Sequence, residues 1–191
     1  MKKIIIGLDP GSLNFGFSVL SFDKNKIEAL DYGVIKINPN YQLSRRIYTI
    51  HEKLEPYFKK YNPEYVSIED VFYQKNVKST ITLAHARAIG LLHCAISNSI
   101  LQEFAPRKIK LSVTGNGNAD KESVKKMVCK ILNIDQKSLT YDISDALAIG
   151  LCCYYNLQTS KTLLPVNSAS KKNRWTKDSI KLSGLKIIGG V

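Results

Sequence analysis

No apolar run in the 191-residue chain approaches the roughly 20 residues that a membrane-spanning helix needs. An apolar stretch does follow Lys2-Lys3 in the manner of a signal peptide, but Asp9-Pro10 interrupts it too early for an export core of about 7–15 residues. Cysteine is sparse. Cys94, Cys129, Cys152 and Cys153 form no C-x-x-C pair and fall in apolar helical patterns, so buried free thiols in a reducing compartment, the cytoplasm, are expected. Histidine is sparser still: His51, His85 and His93 lie in helical patterns without metal-ligand spacing. Acidic residues are few. Asp and Glu total 16 against 28 Lys and Arg, a net charge of +12 that favours a polyanionic partner, nucleic acid before anionic membrane. There is no internal repeat.

What is present suffices for one sizeable domain with a real core. Residues 4–8 read as a strand covered on both faces, and 14–22 and 27–37 as two more in an antiparallel meander, with Gly33 marking a bulge. Leu43, Ile47, Ile50, Leu54 and Phe58 predict an amphipathic helix over about 41–60. A strand over 65–69 follows it, the mark of a parallel crossover. Residues 71–78 form a loop carrying Phe72, Tyr73, Lys75 and Lys78. A long helix is expected over 79–101, a strand over 108–113, a helix capped by Asn118 through about 132, and a last helix from 142 to about 155. From Leu157 the pattern fails, and seven cations face only Asp178, a balance of +6 that is half the chain's net charge of +12. The expected fold class is α/β, a mixed five-stranded sheet flanked by helices, with one domain over 1–156 and a basic tail over 157–191. Two readings of the tail stand: a disordered, non-specific DNA contact, or an aid to solubility.

Four carboxylates draw attention. Asp9 ends the first strand without a polar residue before it, and Pro10-Gly11 then turns the chain. A carboxylate at the end of a buried strand needs a neutraliser, and this segment alone leaves open whether that is a cation or a turn hydrogen bond. Glu69 ends the crossover strand, and alone it reads more readily as a surface residue at a strand end. Asp142 and Asp145 stand three apart, on one side of a helix, where the helix dipole favours acids whatever their function. If the first and crossover strands are neighbours, Asp9 and Glu69 emerge at one sheet edge, and a helix start packed there would bring all four acids together; like charges so close call for a cation. Hard oxygen donors select Mg²⁺ or Mn²⁺. Two such ions about 4 Å apart activate water and stabilise the leaving oxygen in phosphodiester hydrolysis.

The chain resembles the RuvC-type Holliday junction resolvases from Ile4 to about Tyr155. The resemblance rests on residues 7–12 (GLDPGS), 68–72 (IEDVF), 113–121 (VTGNGNADK) and 142–149 (DISDALAI), in the family's order and spacing. It implies a ribonuclease H-like fold, a homodimer, and two Mg²⁺ ions per active site, with Mn²⁺ able to substitute. It further implies paired nicks across four-way DNA junctions in recombination and repair, with the RuvA–RuvB branch-migration complex as partner. Asp9, Glu69, Asp142 and Asp145 match the family's catalytic, metal-binding acids. Phe72 matches the aromatic that stacks on a base at the opened crossover, and Lys110 and Lys121 match lysines near the cut backbone. Tyr73 and Lys75, in the same loop as Phe72, are counted with them as DNA contacts. Asp70 departs from the family's usual Gln, and strand alternation points it away from Glu69.

Three rivals are weighed. Asp9-Pro10-Gly11-Ser12 also resembles the phosphate-binding turn of sugar kinases and actin-like ATPases, which need two such domains where this chain has length for one. A non-catalytic DNA-binding scaffold predicts missing acids, and all four are here. A related nuclease for another branched or RNA–DNA substrate is poorly separated by sequence.

Overall fold

A computed structural model of the chain describes residues 2–24, 26–70 and 77–163. Its centre is a five-stranded sheet in the order β3-β2-β1-β4-β5, with β1 Lys3–Asp9, β2 Asn14–Phe22, β3 Ile27–Lys36, β4 Tyr65–Glu69 and β5 Ile100–Phe104. The meander β1–β2–β3 is antiparallel as expected, and β4 lies parallel to both β1 and β5. The bulge sits elsewhere than at Gly33. The register slips opposite Val19 and Leu20, which face Asp31 and Ala29, while Gly33 pairs regularly with Phe17. A Cβ there would stand 3.0 Å from the Phe17 ring, so the glycine serves packing.

The helices are α1 Leu43–Tyr61, α2 Val77–Ile96, α3 Pro106–Thr114, α4 Lys121–Leu132 and α5 Tyr141–Leu163. Two expectations fail here. The segment 108–113 is helical, inside α3, and the fifth strand is Ile100–Phe104, whose first two residues overlap the helix expected over 79–101. The pattern of Ile109, Leu111 and Val113 mimics a strand. But Ile109 and Val113, four apart, are the buried pair, and Leu111 is 53% exposed. Pro106 at the first helical position and Gly115 in the left-handed C-cap are ordinary helix punctuation. The cap of α4 is Asp120, whose carboxylate accepts from the Ser123 amide at 2.7 Å, and not Asn118. Helix α5 also runs past the expected end at Tyr155, so the expected 156/157 division falls within it.

Both faces of the sheet are covered. Ile6, Leu8, Phe17, Val66 and Ile68 pack with Ile50, Leu54 and Phe58 of α1 and Ala86 and Ile89 of α2. Ile5, Leu20 and Phe22 pack on the other side with α3, α4 and α5. Residues 146–153 of α5 are buried without a break, as befits a helix enclosed on all sides. All four cysteines are free and buried.

Candidate active site

The sheet register places the first two acids. Leu8 pairs with Ile68 across parallel β1 and β4, so Asp9 and Glu69 leave neighbouring strands at the same edge. The helix α5 brings the other two, and its seating depends on missing side chains. A Cβ on Gly16 would stand 2.4 Å from the carbonyl oxygen of Asp142, and one on Gly7 would stand 2.5 Å from that of Ala146. Two buried serines complete the fit. Ser18 Oγ donates to the Ala146 carbonyl at 2.8 Å, and Ser67 Oγ to the Ile149 carbonyl at 2.9 Å. Sequence reasoning missed both serines. A polar residue on a strand covered on both faces was the available signal, because a buried hydroxyl needs a partner.

Asp9, Glu69 and Asp145 line one cavity of about 210 Å³ together with Lys110 and Lys121. Asp142 is not among its lining residues, although its charge acts on Asp9. Lys110 reaches the cavity from α3, a helix where a strand was expected, and Lys121 from the first turn of α4. Lys121 Nζ donates to Asp145 Oδ2 at 2.9 Å, and this bond raises the lysine pKa further. Burial, and then the charges of Asp145 and Glu69, push the Asp9 carboxyl up to about 7. Burial and Asp145 likewise raise Glu69. Asp70 is exposed outside this cavity, and its amide donates to the Phe104 carbonyl at 2.9 Å across the β4–β5 edge. Phe72, Tyr73 and Lys75 lie outside the described residues.

The donor set is all carboxylate oxygen, and its mutual repulsion is what a hard cation relieves, so the residues fit Mg²⁺ or Mn²⁺ better than a soft metal. Among the described residues no three or more His, Cys, Asp or Glu side chains form a ready metal cage. The repulsion that raises Asp9 opposes closer approach of the acids without a cation, and the ammonium of Lys121 on Asp145 offsets part of it.

A polar clasp backs Glu69. Arg87 of α2 donates from Nε to the Glu69 carbonyl at 3.3 Å and pairs through Nη2 with Glu103 of β5. The sequence reading did not single out Arg87.

The family model described as crossover junction endodeoxyribonuclease RuvC matches residues 5–153. A protein of that description from Clostridioides difficile (strain 630) is 34% identical over 160 residues, covering 84% of this chain and 95% of the relative. One from Ehrlichia canis (strain Jake) is 42% identical over 152 residues, covering 80% and 96%. Among solved structures, Thermus thermophilus RuvC in complex with a Holliday junction substrate matches with a TM-score of 0.78 at 24% identity, over 83% of this chain and 96% of that one. The yeast mitochondrial Holliday junction resolvase Ydc2 matches with a TM-score of 0.56 at 14% identity, over 83% and 86%. These structural matches show that the sheet and its helices form a ribonuclease H-like fold.

Proposed function

The chain belongs to the RuvC family of crossover junction endodeoxyribonucleases, and we propose that it resolves Holliday junctions by paired, symmetric, metal-dependent nicks in recombination and repair. The observation that carries the reading is the convergence of Asp9, Glu69 and Asp145 with Lys110 and Lys121 on one cavity, in a chain that the family model spans almost to the end of its buried core.

Asp9, Glu69, Asp142 and Asp145 hold the metal in this reading. Two Mg²⁺ ions, or Mn²⁺ in their place, would supply an activated water and a counter-charge for the leaving oxygen. The chain's own groups do the rest. Lys110 and Lys121 present ammonium groups to the scissile phosphate from the wall of the acidic cavity, offsetting the repulsion between DNA and carboxylates. Lys121 stands in the first turn of α4, where backbone amides also favour phosphate. Phe72 stacks on a base unpaired at the crossover, an interaction worth roughly 1–3 kcal/mol, and Tyr73 and Lys75 of the same segment add contacts to the strand. The basic residues after α5 add sequence-independent affinity.

A four-way junction presents two equivalent strands, which a twofold dimer matches. Helix α2 has the surface for it. Ile81, Ala84, Ala88, Leu92 and Ile96 are exposed at helical spacing, and Leu92 and Ile96 are 47% and 67% exposed. Partnership with the RuvA–RuvB complex and a cytoplasmic location follow from the same reading. The direct test is cleavage of a synthetic four-way junction beside a plain duplex of the same sequence, with and without Mg²⁺. Cutting of the junction alone, and only with metal, is expected. Equal cutting of duplex, full activity in excess EDTA, or ATP hydrolysis without DNA cleavage would overturn the proposal.

A further inference from the structure

The sheet edge that carries Asp9 and Glu69 has a second basic surface on the α1 side, away from Lys110 and Lys121. Two antiparallel pairings make β3 run in the same direction as β1, so β3 delivers the chain to this edge and α1 starts there. The Ile37 amide donates to the Leu13 carbonyl at 2.8 Å, tying that crossing to the turn just after Asp9. Residues 32–51 include Lys36, Arg45 and Arg46 and no Asp or Glu. Helix α1 begins without a side-chain cap and without an acid in its first turn.

Around this start, Leu13, Tyr41, Leu43 and Tyr48 are each 40–47% exposed. The guanidinium of Arg45 lies over two of the rings, 5.9 Å from the Tyr41 centroid and 5.1 Å from that of Tyr48. Arg46 is committed to the backbone, donating to the Tyr41 carbonyl at 2.9 Å and to that of Pro39, and so it holds the 39–41 turn in place. An open cavity of about 380 Å³ adjoins the cluster, between Ser12, Leu13, Pro39, Arg46 and, on α2, Thr82. Its walls are therefore the turn that follows Asp9, the chain entering α1 and the helix that follows Glu69.

We propose that the Tyr41–Arg45–Tyr48 cluster and the adjoining cavity form a second DNA contact, gripping the sugar–phosphate backbone of a junction arm beyond the strand that is cut. The proposal deepens the junction-cleaving reading and rests on it. Charge selects the partner: the surface is cationic without a nearby acid in its own segment, the complement of a polyanion. An arginine within cation–π reach of two rings is a weakly hydrated cation whose planar donors match a phosphate. Position selects the arm. The surface continues from the catalytic edge along the turn that leaves β1, the helix that follows β4 and the start of α1.

Arg45→Gln and Tyr48→Ala, each in the full chain, test it, with Arg45→Lys as the charge-keeping control. Both side chains are exposed, so folding is expected to survive, and melting temperature checks it. Affinity for a synthetic four-way junction is measured across a salt series in EDTA, which leaves binding without cleavage. Arg45→Gln is expected to weaken binding about 3- to 10-fold and to lower the slope of log affinity against log salt by about 1, the loss of one phosphate contact. Tyr48→Ala is expected to weaken binding by a similar factor, and Arg45→Lys to restore the slope. Cleavage at limiting enzyme falls in proportion to affinity. Wild-type affinity and slope in both Arg45→Gln and Tyr48→Ala, while the wild type cuts junctions, would overturn this proposal alone. Unchanged DNA affinity with lost self-association would also overturn it, placing a second copy of the chain on the surface. A wild type that neither binds nor cuts junctions would remove the functional reading beneath it.

Discussion

At the scale of the residue, Asp9 is held where its charge is least welcome. Its carboxyl sits at the end of a buried strand, among other acids, with a pKa near 7 against an ordinary 3.8. A carboxyl whose folded pKa is raised contributes its full stability below the unfolded value and loses it as pH rises through the folded one. At pH 8 without metal, ionised Asp9 therefore opposes folding. Asp9→Asn keeps the shape and removes the charge, so the metal-free variant should melt several degrees higher than wild type at pH 8. That gain should shrink towards pH 4, where the wild-type residue is protonated too. Cleavage should fall by at least about 10³-fold while junction affinity holds or rises, because most affinity comes from cations and counterion release. A large fall in melting temperature would instead make Asp9 a turn former. A second residue-scale effect involves His93, buried on α2 and stacked between Phe58 and His51, with His51 Nδ1 at 3.1 Å. Burial, and then the charge of His51, lowers its pKa, with Glu55 acting the other way. Its contribution is present above pH 6.5 and lost as pH falls from there through the folded value. Melting followed from pH 7 to pH 5 should show a steeper decline in wild type than in His93→Gln. Parallel declines would show that His93 does not titrate in that window.

At the scale of the element, the site depends on how closely α5 lies on β1 and β2. Gly16→Ala would drive a methyl into the Asp142 carbonyl, and the helix start must move. Single-turnover cleavage should drop more than 10-fold with secondary structure intact by circular dichroism. Ser67→Ala removes a buried hydroxyl from the Ile149 carbonyl, which should lower stability by about 1 kcal/mol. In a chain of this size that is a melting shift of about 2–4 °C. Wild-type behaviour of both variants would mean that α5 tolerates a looser seat. Much at this scale was legible in the sequence. The buried first strand, the meander, the crossover and the acids at strand ends follow from local pattern and punctuation. The fifth strand was not legible, because Ile100–Phe104 is short and half exposed, and its register comes from β4 rather than from its own alternation. The α3 segment misled for the opposite reason, since its alternation suited a strand while its neighbours made a helix. The partners of Ser18, Ser67 and Arg87 described above lie 16 to 128 residues away, which no local pattern announces.

At the scale of the whole molecule, the account requires two copies acting on one junction. The exposed apolar stripe of α2 is the surface proposed to join them, and the inner face of the same helix touches the catalytic strands. A Cβ on Gly90 would stand 2.8 Å from Leu8 and 3.1 Å from Ile68. Leu92→Glu places a charge in the stripe without disturbing that inner face. It should convert a dimer to monomer by light scattering at micromolar concentration and abolish paired cutting, with melting changed little. A wild type that stays monomeric with and without DNA would remove α2 from this role. The most direct test of the central claim is the symmetry of the cuts. A synthetic four-way junction, labelled in turn on each strand, is incubated with wild type and Mg²⁺, and the products are then treated with DNA ligase. The account predicts nicks at matching positions in two opposed strands, giving two linear duplexes that ligase seals. Unpaired single nicks, or cuts in adjacent strands leaving gaps and flaps that ligase cannot close, would contradict it.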